Sequence, residues 1–307
     1  MNMDTPIQCL GIEYGNRLYV KREDLIPFSF GGNKARKAEL FFKEIDEGGY
    51  DCVVTYGSSS SNHCRVVSNM ACSRNMPCYI ISPQEASEQT YNSLMMNLFG
   101  ADIAVVPVNQ VHDTIENKLL ELREKGKRPY FIPGGGHGNI GTGAYVDCYE
   151  EIKRFEEENS VYFDYIFLAS GTGTTQAGLI CGQLQHGDKR KIVGISIARP
   201  NPRGRNIVMD SVKEYLGDKI TGNEIENAAI FIDDYITGGY GETNDLVIDT
   251  IKNTMKKYGL ALDETYTGKA FNGMKLFIDK NNIKDKSVLF IHTGGTPLFF
   301  DYLKGLI

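Results

Sequence analysis

The sequence predicts an α/β protein. From Asp51 onward, short β-rich runs alternate with segments of helical apolar period, and small-residue turns lead from several of these runs into a helix. That alternation is the pattern of βα units building parallel sheets. Strands are expected at 52–55, 78–82, 102–106 and 130–132, then at 165–169, 192–197, 229–232 and 288–291, which makes two sheets of about four strands each. A helix is expected to start near Asn33 and Lys34. Ala38, Phe41, Phe42 and Ile45 form its apolar stripe, and Gly48-Gly49 supplies a C-terminal stop.

A length of 307 residues exceeds what one core usually serves. There is no internal repeat, low-complexity tract or Pro-rich linker, so a second lobe is expected as an insertion and not as a tethered neighbour. The boundaries expected are a large domain of 1–51 and 146–307 around a small domain of 52–145. An apolar fraction of 41% and a charged fraction of 23% describe an ordinary folded chain.

The net charge of −6 offers no broad cationic field, so no nucleic-acid partner is expected; Lys34, Arg36 and Lys37 suit a single phosphate better. Seven cysteines, odd in number and without a C-x-x-C pair, read as reduced thiols with no disulfide framework or zinc site. No apolar run approaches the ~20 residues of a membrane span. Met1-Asn2-Met3-Asp4 lacks a basic segment leading into an apolar signal core, so the cytoplasm is the expected location.

Ser170-Gly171-Thr172-Gly173-Thr174-Thr175 follows the apolar run 165–169 and precedes a helical stretch. Free amides at a helix start, small residues and hydroxyls make a cradle for one phosphate. No Gly-Lys-Ser/Thr follows, and Gln176 takes the last glycine position of G-x-G-x-x-G, so neither a P-loop nor a dinucleotide fingerprint is present. The alternative is a Gly/Thr-rich turn without a ligand.

Gly31-Gly32-Asn33-Lys34-Ala35-Arg36-Lys37 puts three cations in a first helical turn, where the helix dipole disfavours them. An anion or covalent ligand would offset that cost, and a lysine among cations has reason for a depressed pKa. A solvated surface cluster is the competing reading. Tyr56-Gly57-Ser58-Ser59-Ser60-Ser61-Asn62-His63 lies between a strand and the stripe Val66, Met70, Ala71. It suits a carboxylate or serves as a plain N-cap. His63 has no ligand-spaced partner and no H-E-x-x-H occurs, so no metal site is expected; a G-x-S-x-G elbow is also missing.

Together these segments resemble the fold-type-II pyridoxal-phosphate enzymes, within them the branch of D-cysteine desulfhydrase and 1-aminocyclopropane-1-carboxylate deaminase. Lys21-Arg22-Glu23-Asp24, Gly31-Gly32-Asn33-Lys34, Ser61-Asn62-His63, Ile132-Pro133-Gly134-Gly135, the run from Ser170 to Leu179, Gly239-Tyr240-Gly241, Tyr266-Thr267-Gly268-Lys269 and His292-Thr293-Gly294-Gly295-Thr296-Pro297 match in order over nearly the whole chain.

The resemblance implies a two-lobed, tryptophan-synthase-β-like architecture, pyridoxal 5′-phosphate as cofactor and a homodimer. It assigns Lys34 to the Schiff base, Gly171, Thr172, Gly173, Thr174 and Thr175 to the phosphate, with Lys37 nearby, and Ser61, Asn62 and His63 to the substrate carboxylate. Asn62 is also expected near the cofactor O3′, Tyr240 and Tyr266 in the active site, and Thr293 at the pyridine nitrogen with Thr267 as competitor.

Deaminases of the cyclopropane substrate resemble Tyr-Glu-Gly-Lys, whereas this chain has Tyr266-Thr267, as in the desulfhydrase form. Ser58-Ser59-Ser60 departs from the larger residues expected before Ser-Asn. The implied activity is that of a lyase of amino-acid metabolism, eliminating a β-substituent from a small amino acid to give an oxoacid and ammonia, with freed Lys34 as general base. A β-replacement synthase shares every cofactor contact, and a silent ligand-binding protein would retain only the fold.

Overall fold

The computed structural model of the chain describes residues 3–306. In chain order it forms β1 (Ile7–Glu13), β2 (Asn16–Arg22), α1 (Asn33–Gly48), β3 (Cys52–Tyr56), α2 (Asn62–Cys72), β4 (Cys78–Pro83), α3 (Tyr91–Leu98), β5 (Asp102–Val106), α4 (Val111–Glu124) and β6 (Pro129–Ile132). It continues with α5 (Asn139–Asn159), β7 (Tyr165–Ser170), α6 (Thr174–His186), β8 (Lys191–Ser196), α7 (Arg203–Leu216), α8 (Gly222–Ala228), β9 (Ile230–Ile232), α9 (Asp245–Tyr258), α10 (Thr267–Lys280), β10 (Ser287–His292) and α11 (Thr296–Leu306). Lys34–Ile140 is one compact unit, and the chain on either side of it makes the other. Among the described residues no helix is long and apolar enough to cross a membrane.

The Lys34–Ile140 unit is built on a four-stranded parallel sheet in the order β5-β4-β3-β6. Cys52, Val53, Val54 and Thr55 are all buried, because helices cover both faces and remove the alternation that a half-exposed strand would show. On one face Ile115, Leu119 and Leu122, spaced as one helical stripe on α4, pack against Cys52, Val54 and Ile81. Strand order reverses between β3 and β6, the switch point of this sheet.

The other unit holds a six-stranded sheet in the order β1-β2-β10-β7-β8-β9, parallel apart from β1 at the edge. The expected four strands are here six. The hairpin β1–β2 escapes the sequence reading because β1 is a mostly exposed edge with a bulge between Cys9 and Gly11, and β2 carries charges at both ends of a short apolar centre. One of those charges, Lys21, is buried against Glu151 at 2.6 Å. Tyr14 and Gly15 make the connecting turn, both at positive φ, which matches the twist of the paired strands.

The last strand, β10, inserts between β2 and β7, with Val288 opposite both Leu18 and Tyr165. Phe290 meets Phe271 of α10 edge to face at 5.0 Å. The switch point of this sheet falls between β7 and β10, whose carboxyl-end loops are Gly171-Thr172-Gly173 and Thr293-Gly294-Gly295.

Candidate active site

In the larger unit, β7 delivers Ser170 into the turn that starts α6. Gly173 is the N-cap residue, at φ 91° and ψ −33°, and no side chain caps the helix. The first turn of α6 thus carries no side-chain cap, and its amides lie at the positive end of the helix dipole. Ser170 Oγ is buried without a hydrogen-bond partner, and Thr174 and Thr175 are buried beside it in sequence. Arg199 Nη1 donates to the Gly171 carbonyl at 2.7 Å, bringing a guanidinium to the loop. The sequence reading misses Arg199, which lies 28 residues away and has no local pattern to mark it.

Asn33 links this cradle to the loop after β10. Its backbone N–H donates to the Thr293 carbonyl at 2.9 Å and its Nδ2 to Thr175 Oγ1 at 3.1 Å. Gly32, at φ 95°, lies so close beneath that a Cβ would sit 2.9 Å from the Thr293 carbonyl oxygen. Asn33 enters the sequence reading as a helix start and within the Gly31-Gly32-Asn33-Lys34 match, and Lys34 follows it directly.

Lys34, in the smaller unit, donates from Nζ to the Gly135 carbonyl in the loop after β6, at 3.0 Å. Desolvation lowers its pKa to about 8. Lys37, one turn on, is buried, and desolvation followed by the Lys34 charge pushes its pKa well down. Its stem lies along Gly136, where a Cβ would be 3.3 Å from Lys37 Cδ.

At the end of β3, Ser61 caps α2, its Oγ accepting from Cys64 N–H at 3.1 Å. The amides of Asn62 and His63 remain at the helix start. The His63 ring is turned into the core: Thr55 Oγ1 donates to the Ile132 carbonyl at 2.7 Å, so its 2.9 Å contact with His63 Nε2 must be one it accepts. Burial lowers the His63 pKa, with Lys34 and Lys37 adding to the effect, so the ring is a neutral scaffold group and only its backbone amide is offered. Ser58 and Ser59 open onto a cavity of about 290 Å³, shared with Ser82, Ser93, Met96 and Val105.

Back in the larger unit, the Tyr240 and Tyr266 hydroxyls lie 2.6 Å apart. Asp263 sets Tyr266: its buried carboxylate accepts from the backbone N–H of Thr265, Tyr266 and Thr267 and from Thr267 Oγ1 at 2.7 Å. Burial raises the Asp263 pKa against those bonds. Thr267 Oγ1 also accepts from Asp263 N–H at 2.9 Å, so its proton and its accepting side are both engaged and the side chain is fully buried. Among the described residues the Thr293 hydroxyl has no partner.

Lys269 serves Tyr240. Its buried Nζ donates to the carbonyls of Ile197 at 3.3 Å, Ile236 at 3.0 Å and Gly239 at 2.5 Å, and desolvation lowers its pKa to about 8. Lys269→Met is expected to strand those carbonyls and loosen the loop that carries Tyr240, costing on the order of 2 kcal/mol. Denaturant titration and limited proteolysis read this; an unchanged midpoint and cleavage rate would remove Lys269 as the anchor.

These residues fit a phosphorylated aldehyde cofactor: an uncapped helix start with an orphan hydroxyl for the phosphate, a lysine of lowered pKa, and a free hydroxyl at the neighbouring strand end. The fold and the site thus define an α/β class with a loop suited to a phosphate at a sheet switch point and, on α1, a lysine of lowered pKa. The profile of the family described as "Pyridoxal-phosphate dependent enzyme" matches residues 3–294, and the chain belongs to that family.

It is 30% identical over 298 residues to D-cysteine desulfhydrase of Serratia proteamaculans (strain 568), covering 94% of this chain and 89% of the relative. It is 31% identical over 296 residues to D-cysteine desulfhydrase of Yersinia pestis (strain Pestoides F), with the same coverage of 94% and 89%. The crystal structure of a homologue of ACC deaminase superposes with a TM-score of 0.86 at 30% identity, covering 99% of this chain and 93% of that one.

Proposed function

We propose that the chain is a pyridoxal-phosphate-dependent lyase that eliminates a β-substituent from a small amino acid, as a D-cysteine desulfhydrase does. The observation that carries this reading is Asn33, bonded to both Thr175 and Thr293 and followed directly by Lys34. Gly171, Thr172, Gly173, Thr174 and Thr175 would hold the phosphate, with Lys37 near it by the resemblance, and Thr293 would offer its hydroxyl to the pyridine nitrogen. Bound pyridoxal phosphate supplies an electron sink for the charge released at Cα.

Ser61 Oγ and the amides of Asn62 and His63 hold the substrate carboxylate at the positive end of α2. The Lys34 amine, with its pKa near 8, is unprotonated in a usable fraction near neutrality and takes the Cα proton. The Tyr240–Tyr266 pair passes a proton to the leaving group. From cysteine and water the products are pyruvate, ammonia and sulfide, through hydrolysis of released 2-aminoacrylate. A homodimer is the assembly the resemblance implies, and sedimentation tests it.

With the cofactor bound, an uncharged Thr293 hydroxyl at the ring nitrogen would not hold that nitrogen protonated as a carboxylate would. Prompt loss of a good leaving group is then favoured. D-cysteine and β-chloroalanine are expected to release oxoacid, with the cyclopropane amino acid at least about tenfold slower in kcat/KM, a difference of about 1.4 kcal/mol in barrier. Oxoacid assays on D- and L-cysteine, serine, β-chloroalanine and the cyclopropane substrate test this. Turnover of the cyclopropane substrate alone would overturn it.

A further inference from the structure

In the loop that carries Ser61 and Asn62, Ser58 and Ser59 face a cavity of about 290 Å³ in place of a packed layer. Polar ties to the segment before and within α3 hold it instead. Ser59 N–H donates to the Ala86 carbonyl at 3.0 Å, Thr90 Oγ1 to the Ser59 carbonyl at 2.8 Å, and Asn92 Nδ2 to the Ser60 carbonyl at 2.8 Å and to Asn62 Oδ1 at 3.0 Å. Asn92 is fully buried, and its Oδ1 has no hydrogen-bond partner.

Those two Asn92 contacts decide which end of the Asn62 amide is free. A backbone carbonyl can only accept, so the Asn92 atom facing Ser60 O must be the NH₂ nitrogen, whichever way a carboxamide is first assigned. Its second hydrogen then meets Asn62, and that contact is favourable only with the Asn62 oxygen. Asn62 is thereby left with its own NH₂ unengaged, since nothing among the described residues accepts from it.

We propose that Asn92 is a positioning residue that locks Asn62 with its NH₂ outward, as a donor to the anionic 3-oxygen of the cofactor ring. The orphan Asn92 Oδ1 is the cost of this arrangement: a buried acceptor is left unsatisfied so that one nitrogen can serve both the loop backbone and Asn62. The inference rests on the assignment of Asn62 to the cofactor, and the experiment separates the two.

Asn92→Asp keeps the shape but has no NH₂, so Asn62 must turn its own NH₂ inward and present oxygen to an anion. Titration of pyridoxal phosphate into the apoprotein should give a Kd about tenfold above the parent, the scale of one lost hydrogen bond to a charged group. In an Asn62→Ala background the same change should do nothing further, whereas a role confined to loop stability would persist there and follow the melting temperature. Should N92D fail to fold by circular dichroism, Asn92→Ser is read the same way, with a rise of roughly threefold because Asn62 is then freed and not reversed. A parental Kd in N92D or its replacement, alongside a weakened N62A, overturns the role of Asn92 alone. A parental Kd in N62A overturns the assignment of Asn62 and this inference with it.

Discussion

Lys34→Ala should lower turnover by on the order of 10³-fold or more, because one substitution removes both the proposed covalent attachment and the proposed base for the Cα proton. The protein should also lose its borohydride-reducible cofactor adduct while keeping the melting temperature of the apoprotein. Little packing is at stake: the Nζ of Lys34 makes one bond, to the Gly135 carbonyl, while the apolar stripe of α1 is untouched.

The pKa supplies a second readout. Desolvation holds the folded value at about 8 against an ordinary 10.5, so amine-selective labelling of Lys34 in the apoprotein should rise as pH increases through about 8. A midpoint at the ordinary value would remove the reason for its nucleophilicity. If the reducible adduct survives in the alanine variant, attachment moves to Lys37 or Lys269. Lys269 has its amine committed to three carbonyls and is poorly placed for that role.

Gly173→Val should raise the Kd for pyridoxal phosphate by roughly tenfold to a hundredfold. Two costs coincide there. The backbone sits at φ 91°, a conformation worth about 1–3 kcal/mol of strain to a residue with a side chain, and a Cβ would stand 3.1 Å from Ile207 Cγ2 and 3.4 Å from Val208 Cγ2 on α7. The turn would shift, and the amides it aims would shift with it. The rest of α6 is buried independently of that turn, so the thermal midpoint should move far less than the affinity. Parental affinity in the valine variant would mean that the phosphate is held elsewhere.

The α/β class, the apolar stripe of α1 and the order of the glycine-rich turns were all legible in the chain, because periodicity, capping and turn chemistry act within a few residues. Strand order was not. β10 enters between β2 and β7 through pairings such as Val288 with Leu18, and no local pattern encodes a partner so far away.

The same distance hid the choice between two hydroxyls. The resemblance offered Thr293 and Thr267 for one ring atom, and the proposal of Thr293 is favoured by Asp263, whose carboxylate and backbone engage Thr267 on both sides. His63 and Asn62, adjacent in the chain, divide in the same way, one ring held inward by Thr55 and one amide turned by Asn92. The sequence by itself determined which chemical groups are present and on what kind of turn. Tertiary structure alone decided which of their hydrogens and lone pairs are already engaged, because a hydrogen bond is exclusive and its partner here arrives from a distant segment of the fold.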